Sequence, residues 1–435
     1  MTLFGTSGVR GIANKKVTPE LALKLGKSLG TYLLKGEVVI GRDTRTTSEM
    51  LEIAFASGLI FCGIDVFELG VVPTPTVGIC VKNFKARAGV MITASHNPPQ
   101  YNGIKVWGQD GLACTYEEKL ESIFKSERFK EMNWREVGNL RKVEGIKIHK
   151  SLIKKNIKIK EKFKVVLDCG NGSASVIAPQ LFSEIGLKVL SLNANTSGFF
   201  SRSLEPTQEN LKTLSKAVEV SKADLGFAYD GDADRVGCVD EHGSYIDYDT
   251  LLALISRFVV KKKMVTTLDA SLSLREYLKG CKVLRTKIGD KYVARELLRS
   301  NADFGGEPSG TWIFPKHSLT PDGIFSSLKI LEMKQNLGNL CELREEVPSY
   351  YSLREKIPVR NSQKKEVMKR LKKEFEGENI ITLDGVFLEY RDSFLLIRAS
   401  GTEPYIRVRA EARDERRAKE LLEKGLRLVR YSIDL

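Results

Sequence analysis

Three aspartates alternate with small residues in the stretch Asp230-Gly-Asp-Ala-Asp-Arg235. Carboxylate oxygens are the ligands that hard divalent cations prefer, and glycine between them allows a tight turn. The spacing therefore predicts a compact cation site. Mg²⁺ is the expected ion, because it keeps coordination positions open for phosphate oxygens.

Three other interpretations of this stretch stay open. An EF-hand loop would place Glu241 at its twelfth position, but Arg235 stands where that loop needs glycine. A phosphatase of the haloacid-dehalogenase type would use one aspartate as a nucleophile. A solvated acidic turn would need no function, although such turns seldom carry three aspartates directly after an apolar run such as residues 225–229.

A second stretch, Arg398-Ala-Ser-Gly-Thr-Glu-Pro404, has the chemistry of a phosphate-binding loop. A guanidinium can bind a phosphate through two parallel hydrogen bonds, and hydroxyls and loop amides add further donors. The candidate phosphate ligands are Arg398, Ser400, Gly401, Thr402 and the following Arg407. An ordinary hairpin turn is the alternative interpretation.

Two glycine-containing stretches do not fit the common nucleotide-binding motifs. Gly26-Lys-Ser28 lacks the upstream glycine of a Walker A loop. Gly170-Asn-Gly-Ser-Ala-Ser175 lacks the third glycine of the dinucleotide fingerprint and is typical of a tight turn from strand to helix.

Ser95 and His96 lie next to each other in a turn-rich loop, but their spacing does not predict a hydrolytic triad. Adjacent side chains in extended backbone point to opposite sides of the chain, and triad bases come from distant segments. A cation site and a phosphate loop in the same chain favour phosphoryl transfer instead, with Ser95 carrying the phosphoryl group.

The charge balance of such a site requires further cations. A phosphoserine carries about −2, the three aspartates add about −3, and a divalent cation returns +2. Arg10, Lys105 and Arg235 lie beside the motifs and are the candidate sources of positive charge.

A repeated pattern of strands and helices must position these loops. Short apolar strands begin near Val38, Lys164 and Met264, and each is followed by a helical segment, a second strand, another helical segment and a third strand. This alternation predicts three similar α/β domains with mixed, mostly parallel sheets. The third strands end at Ser95, at Asp230 and at Gly306-Glu-Pro-Ser-Gly310, where α/β sheets bind ligands, so the loops are expected around a central cleft.

The last part of the chain has a different pattern. One helix near residues 364–375, four short strands and a final amphipathic helix from Asp414 predict a separate α+β domain. The expected domains are therefore residues 1–150, 151–247, 248–347 and 348–435.

The composition restricts the remaining function classes. The chain has 435 residues, 42% hydrophobic content and a formal net charge of +14. Seven scattered cysteines without a Cys-x-x-Cys pair disfavour a disulfide framework and a cysteine zinc site. The first residues lack the apolar run of a signal peptide, and no stretch is long and apolar enough to predict a transmembrane span, so a cytosolic protein with no membrane partner is expected.

Nucleic-acid binding is the alternative explanation of the positive charge. The densest lysine run, from Lys147 to Lys164, contains one aromatic residue and no known reader motif. The run is therefore predicted to be a solvated segment between domains. A cleft for small phosphorylated anions explains the charge as well, and no nucleic-acid partner is expected.

The motifs together resemble the α-D-phosphohexomutase family, over essentially the whole chain. The resemblance rests on five loops in the family's order: Phe-Gly-Thr-Ser-Gly-Val-Arg-Gly (4–11), Thr-Ala-Ser-His-Asn-Pro (93–98), Asp-Gly-Asp-Ala-Asp-Arg (230–235), Gly-Glu-Pro-Ser-Gly (306–310) and Arg-Ala-Ser-Gly-Thr-Glu-Pro (398–404). The ordered set is far more specific than any one of the loops.

The resemblance implies a role for each of these loops. Ser95 would carry a phosphoryl group, and its phosphate together with Asp230, Asp232 and Asp234 would bind Mg²⁺. Arg235 would neighbour the metal and the substrate. The implied substrate-binding residues are Lys287, Glu307 and Ser309 for the sugar, and Arg398, Ser400, Gly401, Thr402 and Arg407 for the phosphate that is not reacting.

The implied reaction interconverts a hexose 6-phosphate and a hexose 1-phosphate through a 1,6-bisphosphate. The last loop resembles the branch that acts on glucosamine phosphates; mannose and glucose phosphates, or hydrolysis by a Mg²⁺-dependent phosphatase, are the alternatives. Many relatives have histidine where this chain has Thr311. Arg10 and Lys105 are then the candidates for proton transfer, although arginine is a poor base at its ordinary pKa, and His96 is expected to shape the loop or contact phosphate.

Overall fold

The computed structural model describes residues 3–5, 8–375, 380–401 and 404–434. The chain divides into two compact units. The first comprises residues 1–248 and 309–343, and the second comprises residues 249–308 and 344–435.

The first unit begins with a six-stranded sheet covered by helices. Its elements are β1 (Val9–Ile12), α1 (Pro19–Leu33), β2 (Glu37–Arg42), α2 (Ser48–Phe61), β3 (Asp65–Val71), α3 (Thr74–Phe84), β4 (Ala88–Ile92), β5 (Tyr101–Gly108), α4 (Glu117–Ser126), β6 (Leu140–Lys142) and α5 (Gly145–Asn156). The strand order is β1-β5-β4-β2-β3-β6. Strands β4, β2, β3 and β6 are parallel, and β5 is antiparallel to both of its neighbours, β4 and β1. Apolar residues of β2 and β4 are fully buried, as expected for parallel strands with both faces covered.

A second sheet of five strands follows in the same unit. Its elements are β7 (Lys164–Asp168), a short 3-10 turn at Ser173–Val176, α6 (Ala178–Glu184), β8 (Lys188–Leu192), a 3-10 turn at Gln208–Asn210, α7 (Lys212–Ser221), β9 (Leu225–Tyr229), β10 (Val236–Val239) and β11 (Tyr245–Ile246). The order is β11-β10-β9-β7-β8, and β9, β7 and β8 are parallel.

The second unit contains the third repeat of the strand and helix pattern. Its elements are α8 (Tyr248–Val259), whose first residue belongs to the first unit, β12 (Lys263–Thr267), α9 (Ser273–Tyr277), β13 (Lys282–Thr286), α10 (Asp290–Ser300) and β14 (Phe304–Gly306). Strand β12 lies between β13 and β14 and is parallel to both. Residues 309–343 belong to the first unit again and form β15 (Trp312–Ile313), α11 (Gly323–Leu337) and α12 (Leu340–Leu343).

The C-terminal part of the second unit is an antiparallel sheet with two helices. Its elements are a 3-10 turn at Arg344–Glu346, β16 (Tyr351–Pro358), α13 (Lys364–Glu374), β17 (Ile380–Ile381), β18 (Val386–Glu389), β19 (Ser393–Ala399), β20 (Tyr405–Ala412) and α14 (Glu415–Asp434). The strand order is β16-β20-β19-β18-β17. Apolar residues from the strands and both helices form one core.

The predicted fold class is confirmed: three α/β repeats with mixed, mostly parallel sheets precede a C-terminal α+β part. The sequence pattern did not predict β16, because this edge strand is largely exposed and its sequence is mostly polar. Within the described ranges, none of the helices combines the length and the apolar content that a bilayer crossing requires.

Candidate active site

Ser95 lies on a tight loop that follows β4. Strand β4 ends at Ile92, and the serine is 2% exposed with a backbone φ of +53°. A non-glycine residue in this left-handed region costs roughly 1–2 kcal/mol, so surrounding contacts must hold the conformation. The Ser95 amide donates to the hydroxyl oxygen of Thr93 at 2.8 Å, and that hydroxyl donates to Asp43 Oδ2 at 2.7 Å.

A buried arginine, Arg45, binds the backbone of the serine loop. Its Nη2 donates to the carbonyl oxygens of Ser95 and Asn97 at 2.8 and 2.7 Å. Its Nη1 donates to the carbonyl oxygens of Pro98 and Tyr101 at 2.7 and 3.0 Å. The guanidinium therefore holds the backbone at the serine and in the residues that follow it.

Asp43 neutralises the Arg45 guanidinium, with 3.0 Å between Arg45 Nε and Asp43 Oδ2. The sequence pattern did not predict this pair. The sequence feature that could have indicated the pair is the polar run Gly41-Arg-Asp-Thr-Arg45, at the carboxyl end of the buried strand β2.

The three aspartates follow β9 directly and lie opposite the serine. One carboxylate oxygen from each of Asp230, Asp232 and Asp234 lies within 4.8 Å of the others, and all three residues are buried. The Ser95 hydroxyl donates to Asp230 Oδ2 at 2.6 Å. A Cβ atom on Gly231 would lie 2.7 Å from the Ser95 carbonyl oxygen, so glycine is required there for the two loops to approach.

Burial and mutual repulsion make the carboxylate cluster electrostatically unfavourable. Burial, followed by the charges of Asp234 and Asp232, raises the pKa of Asp230 well above its usual range. For Asp232 burial opposes ionisation, but the ammonium of Lys105 and the hydroxyl of Thr74 lower the pKa below its usual value. A divalent cation among these oxygens would relieve the repulsion.

The donor set fits a hard cation. Asp232 Oδ1 is buried and has no hydrogen-bond partner among the described residues. Its Oδ2 accepts from Thr74 Oγ1 at 2.6 Å and from Lys105 Nζ at 2.8 Å, and Lys105 also donates to Asp234 Oδ2 at 3.1 Å. The cluster is thus oxygen-rich and preorganised, with at least one oxygen left for a ligand.

The basic side chains predicted to supply positive charge lie around this cluster. Against the effect of burial, Asp232 and Asp234 raise the pKa of Lys105, which keeps it charged. Arg10 on β1 donates through Nη1 to Asn97 Oδ1 at 3.0 Å, while its buried Nε has no partner among the described residues. Arg235 Nη1 lies 3.2 Å from Glu205 Oε1.

His96 lies within 3.3 Å of the serine hydroxyl, measured from Nδ1 to Oγ. The charge of Arg235, burial and the charge of Arg10 lower the pKa of His96 to about 2. The imidazole is therefore neutral, and its low basicity disfavours a role as the base that deprotonates Ser95.

The predicted sugar-binding residues fall in both units. Ser309, in the first unit, lies 3.0 Å from Thr311 through the two hydroxyl oxygens, and Thr311 forms an isolated antiparallel bridge with Arg235. Glu307, in the second unit, accepts from the Gly289 amide at 2.5 Å. Lys287, also in the second unit, places its ammonium 5.7 Å from the centre of the Tyr292 ring.

The predicted phosphate loop connects β19 to β20 in the second unit. Arg398 and Arg407 are directly opposite each other on these antiparallel strands. Like charges in this position repel, so an anion bound between them would be stabilising. The Ser400 amide closes the loop by donating to the Tyr405 carbonyl oxygen at 2.9 Å.

Further residues define the edges of this loop. Ser400 is buried, and Lys364 donates to its carbonyl oxygen at 2.6 Å. Gly401 is exposed, and Thr402 lies outside the described residues. Arg409, two residues beyond Arg407, is instead buried and forms ion pairs of 2.9 Å with both Asp249 and Glu411.

Comparison with known proteins defines the class to which this fold and site belong. Four family models match consecutive parts of the chain: "Phosphoglucomutase/phosphomannomutase, alpha/beta/alpha domain I" over residues 1–131, domain II over 145–243, domain III over 247–351 and the C-terminal domain over 355–428. The chain belongs to this family and is a phosphohexomutase, an isomerase that acts on sugar phosphates.

Its relatives point to one branch of the family. A protein of Pyrococcus horikoshii named "Probable phosphoglucosamine mutase" is 49% identical over 99% of this chain and 98% of its own length. A protein of the same name from Methanobrevibacter smithii is 46% identical, over 99% of both chains. The crystal structure of a phosphoglucomutase/phosphomannomutase family protein from Burkholderia thailandensis superimposes with a TM-score of 0.88 at 26% identity, covering 99% of this chain and 97% of that one.

Proposed function

We propose that this enzyme interconverts glucosamine 6-phosphate and glucosamine 1-phosphate, with Ser95 as the residue that carries the phosphoryl group. The contact that supports it best is the 2.6 Å hydrogen bond from the Ser95 hydroxyl into the three-aspartate cluster. The choice of sugar rests on the name of the relatives that are 46–49% identical over nearly the full length of the chain.

The reaction has two half-steps, and neither of them consumes water. In the first, the P–O bond at phosphorylated Ser95 breaks and a new P–O bond forms to the free hydroxyl of the hexose monophosphate. The sugar hydroxyl loses a proton and Ser95 Oγ gains one, which leaves a 1,6-bisphosphate. After the bisphosphate turns around, its other phosphate returns to Ser95 by the reverse chemistry.

Asp230, Asp232, Asp234 and an oxygen of the Ser95 phosphate would hold Mg²⁺. When bound, the ion would neutralise charge on the transferring phosphoryl group. The vacant Oδ1 of Asp232 and the raised pKa of Asp230 support a cation at this position. A hard divalent ion is favoured because every donor in the cluster is an oxygen.

The remaining residues around Ser95 would bind and stabilise charge. Lys105 stays protonated because of its two carboxylate partners, so its role is electrostatic rather than that of a base. The Nε of Arg10, which has no hydrogen-bond partner among the described residues, would donate to an anion, and Arg235 would supply further positive charge. The neutral His96 would shape the loop or contact the phosphate.

The other predicted residues would bind the rest of the substrate. Repulsion between opposed Arg398 and Arg407 supports a bound phosphate, with Ser400, Gly401 and Thr402 completing that loop. The sugar ring would be bound by Lys287, Glu307 and Ser309, in keeping with the family resemblance.

Two measurements test this proposal together. Phosphopeptide mapping of active enzyme is expected to find phosphate on Ser95, and Ser95→Ala is expected to lose mutase activity while keeping a wild-type circular dichroism spectrum. An active Ser95→Ala enzyme, or a fully active enzyme without phosphate on this serine, would contradict the proposal.

The substrate is tested by coupled assays with glucosamine, mannose and glucose 6-phosphates. The highest kcat/KM is expected for the glucosamine compound. A preference for mannose or glucose phosphate would assign the enzyme to the other branch, and steady release of inorganic phosphate would indicate a phosphatase.

We also propose that the functional domains follow the limits expected from the sequence, at residues 1–150, 151–247, 248–347 and 348–435. The enzyme is proposed to act in the cytosol. Its seven cysteines are all free and five of them are buried, which suits a reducing compartment.

A further inference from the structure

A buried cluster of His149, His317 and Asp322 lies outside the site described above. His149 Nε2 and His317 Nε2 lie 2.7 and 2.9 Å from the same oxygen, Asp322 Oδ2. All three residues are buried, and the imidazole of His317 stacks on the Phe325 ring with 3.8 Å between centroids. None of the three residues has a part in the proposed chemistry.

The geometry of this cluster is that of hydrogen bonds rather than of a metal centre. Two ligands of a tetrahedral zinc ion with bonds of about 2.0–2.1 Å would stand about 3.3 Å apart. Both observed separations are shorter and match ordinary N–H···O lengths. Each imidazole therefore donates its Nε2 proton to the carboxylate, which also holds the pKa of Asp322 below its usual range although burial opposes this.

One end of the cluster leads, through helix α3, to the aspartate loop (residues 230–235). The hydroxyl of Thr76 bonds His149 Nδ1 at 2.8 Å. Thr74 lies in the same first turn of α3. Its hydroxyl donates to Asp232 Oδ2 at 2.6 Å, and its amide donates to the Asp232 carbonyl oxygen at 2.9 Å.

The other end leads to the same loop through helix α11. Asp322 caps this helix, since its Oδ1 accepts from the amides of Ile324 and Phe325 at 3.0 Å each. The adjacent Gly323 amide donates to the Ala233 carbonyl oxygen at 3.0 Å. A Cβ atom on Gly323 would lie 2.6 Å from the Arg235 carbonyl oxygen, so the start of α11 packs directly against the loop.

We propose that Thr76, His149, His317 and Asp322 are positioning residues that hold the aspartate loop in its cation-binding geometry. His149 of α5 links the starts of α3 and α11 through two hydrogen bonds, one to Thr76 and one to Asp322. These two helix starts contact the loop at Asp232 and at Ala233. Breaking the relay lets the helix ends separate and loosens the spacing of the carboxylates. This proposal rests on the proposed function, in which those carboxylates bind a divalent cation.

A matched pair of isosteric substitutions tests the relay. Thr76→Val removes the bond to His149, whereas Thr320→Val removes a buried bond of 3.1 Å from the same 317–322 segment to the Gly111 carbonyl oxygen, outside the relay. Mn²⁺ affinity is measured by electron paramagnetic resonance, and kcat and KM are measured in parallel. Thr76→Val is expected to weaken Mn²⁺ binding about fivefold and to lower kcat with KM unchanged, while Thr320→Val leaves Mn²⁺ affinity unchanged.

A second pair of variants separates positioning from general stability. His149→Phe is expected to weaken Mn²⁺ binding more than Thr76→Val, and His149→Gln, whose amide can still donate to Asp322, is expected to restore part of the affinity. Wild-type Mn²⁺ affinity in folded Thr76→Val or His149→Phe enzyme would overturn the relay. Equal losses in Thr76→Val and Thr320→Val would also overturn it.

Two further measurements distinguish this proposal from its alternatives. If Asp232→Asn does not affect Mn²⁺ binding, the cation site of the proposed function fails, whatever the His149 variants do. Zinc that is retained by wild-type enzyme after dialysis against chelator and lost from His149→Phe would show that the cluster is a metal centre, and would overturn the hydrogen-bonded relay.

Discussion

Replacing Arg45 with lysine tests whether this one side chain holds the loop that contains Ser95 in place. Wild-type Arg45 is 3% exposed, and its guanidinium donates to four carbonyl oxygens, two of them in the Ser95–Asn97 stretch. Lysine keeps the positive charge beside Asp43 but cannot reproduce the planar fork. The substitution therefore keeps the positive charge but loses the planar arrangement of hydrogen-bond donors.

The size of the effect follows from the bonds that lysine cannot make. Each hydrogen bond to a charged group contributes about 1.5–3 kcal/mol, and the ammonium can replace some of the four, so a net loss of one such bond is the minimum. The φ of +53° at Ser95 adds a tendency of the freed loop to relax. A loss of about 1.5–3 kcal/mol lowers the competent loop population about ten- to a hundredfold.

The assay measures the rate of phosphate transfer from a hexose 1,6-bisphosphate to Ser95 by mass spectrometry of the intact protein. Steady-state kcat is measured in parallel. Both rates are expected to fall about ten- to a hundredfold in Arg45→Lys. Arg285→Lys is the matched control, because Arg285 donates to the carbonyl oxygens of Thr267, Leu268 and Ala270 in the second unit in a similar way. That control is expected to phosphorylate Ser95 at the wild-type rate.

Arg45→Lys enzyme that accepts phosphate on Ser95 at the wild-type rate would show that Arg45 does not hold the serine loop. An equal slowing in Arg285→Lys would also contradict this role of Arg45, since the effect would then come from general loss of stability. Measurements well below the first thermal transition keep the two explanations separate.

Two further changes bear on the proposed cation site and the proposed phosphate loop. Asp232→Asn is expected to lower kcat well over tenfold at saturating Mg²⁺, because charge stabilisation by a metal is worth several kcal/mol; full wild-type activity in excess chelator would contradict the cation site. Arg398→Ala is expected to weaken binding of the 6-phosphate and the 1-phosphate alike by about ten- to a hundredfold, with partial rescue in Arg398→Lys. Unequal losses, measured as the two dissociation constants, would mean that Arg398 binds one end of the sugar.

Much of the site could be predicted from short stretches of sequence. The three aspartates, Ser95 and the Arg398 loop each combine reactive residue types within a few positions, and each follows an apolar strand. In α/β sheets ligands bind at the carboxyl ends of the parallel strands, so the strand pattern already placed the serine and aspartate loops where ligands bind. The Arg398 loop connects antiparallel strands and was predicted from its residue types alone. The predicted proximity of Ser95 to the aspartates is present in the first unit.

The supporting contacts could not be predicted in the same way. Arg45, Thr74 and His149 contact partners that are distant in sequence. A polar run at the end of β2 marks Arg45 locally, but no spacing indicates which distant groups these three residues contact. Strand β16 escaped prediction because an exposed edge strand needs no apolar alternation.

The sequence by itself determined the repeat of strands and helices, the oxygen-rich loop and the serine, because periodicity and residue chemistry are local properties. Only the tertiary structure decided the charge states and the rigidity of the site. The pKa of His96 is lowered by Arg235 and Arg10, and the pKa of Asp230 is raised by burial and by its neighbours. Such effects depend on distances in space and on exclusion of water, which arise only when separate segments of the chain pack together.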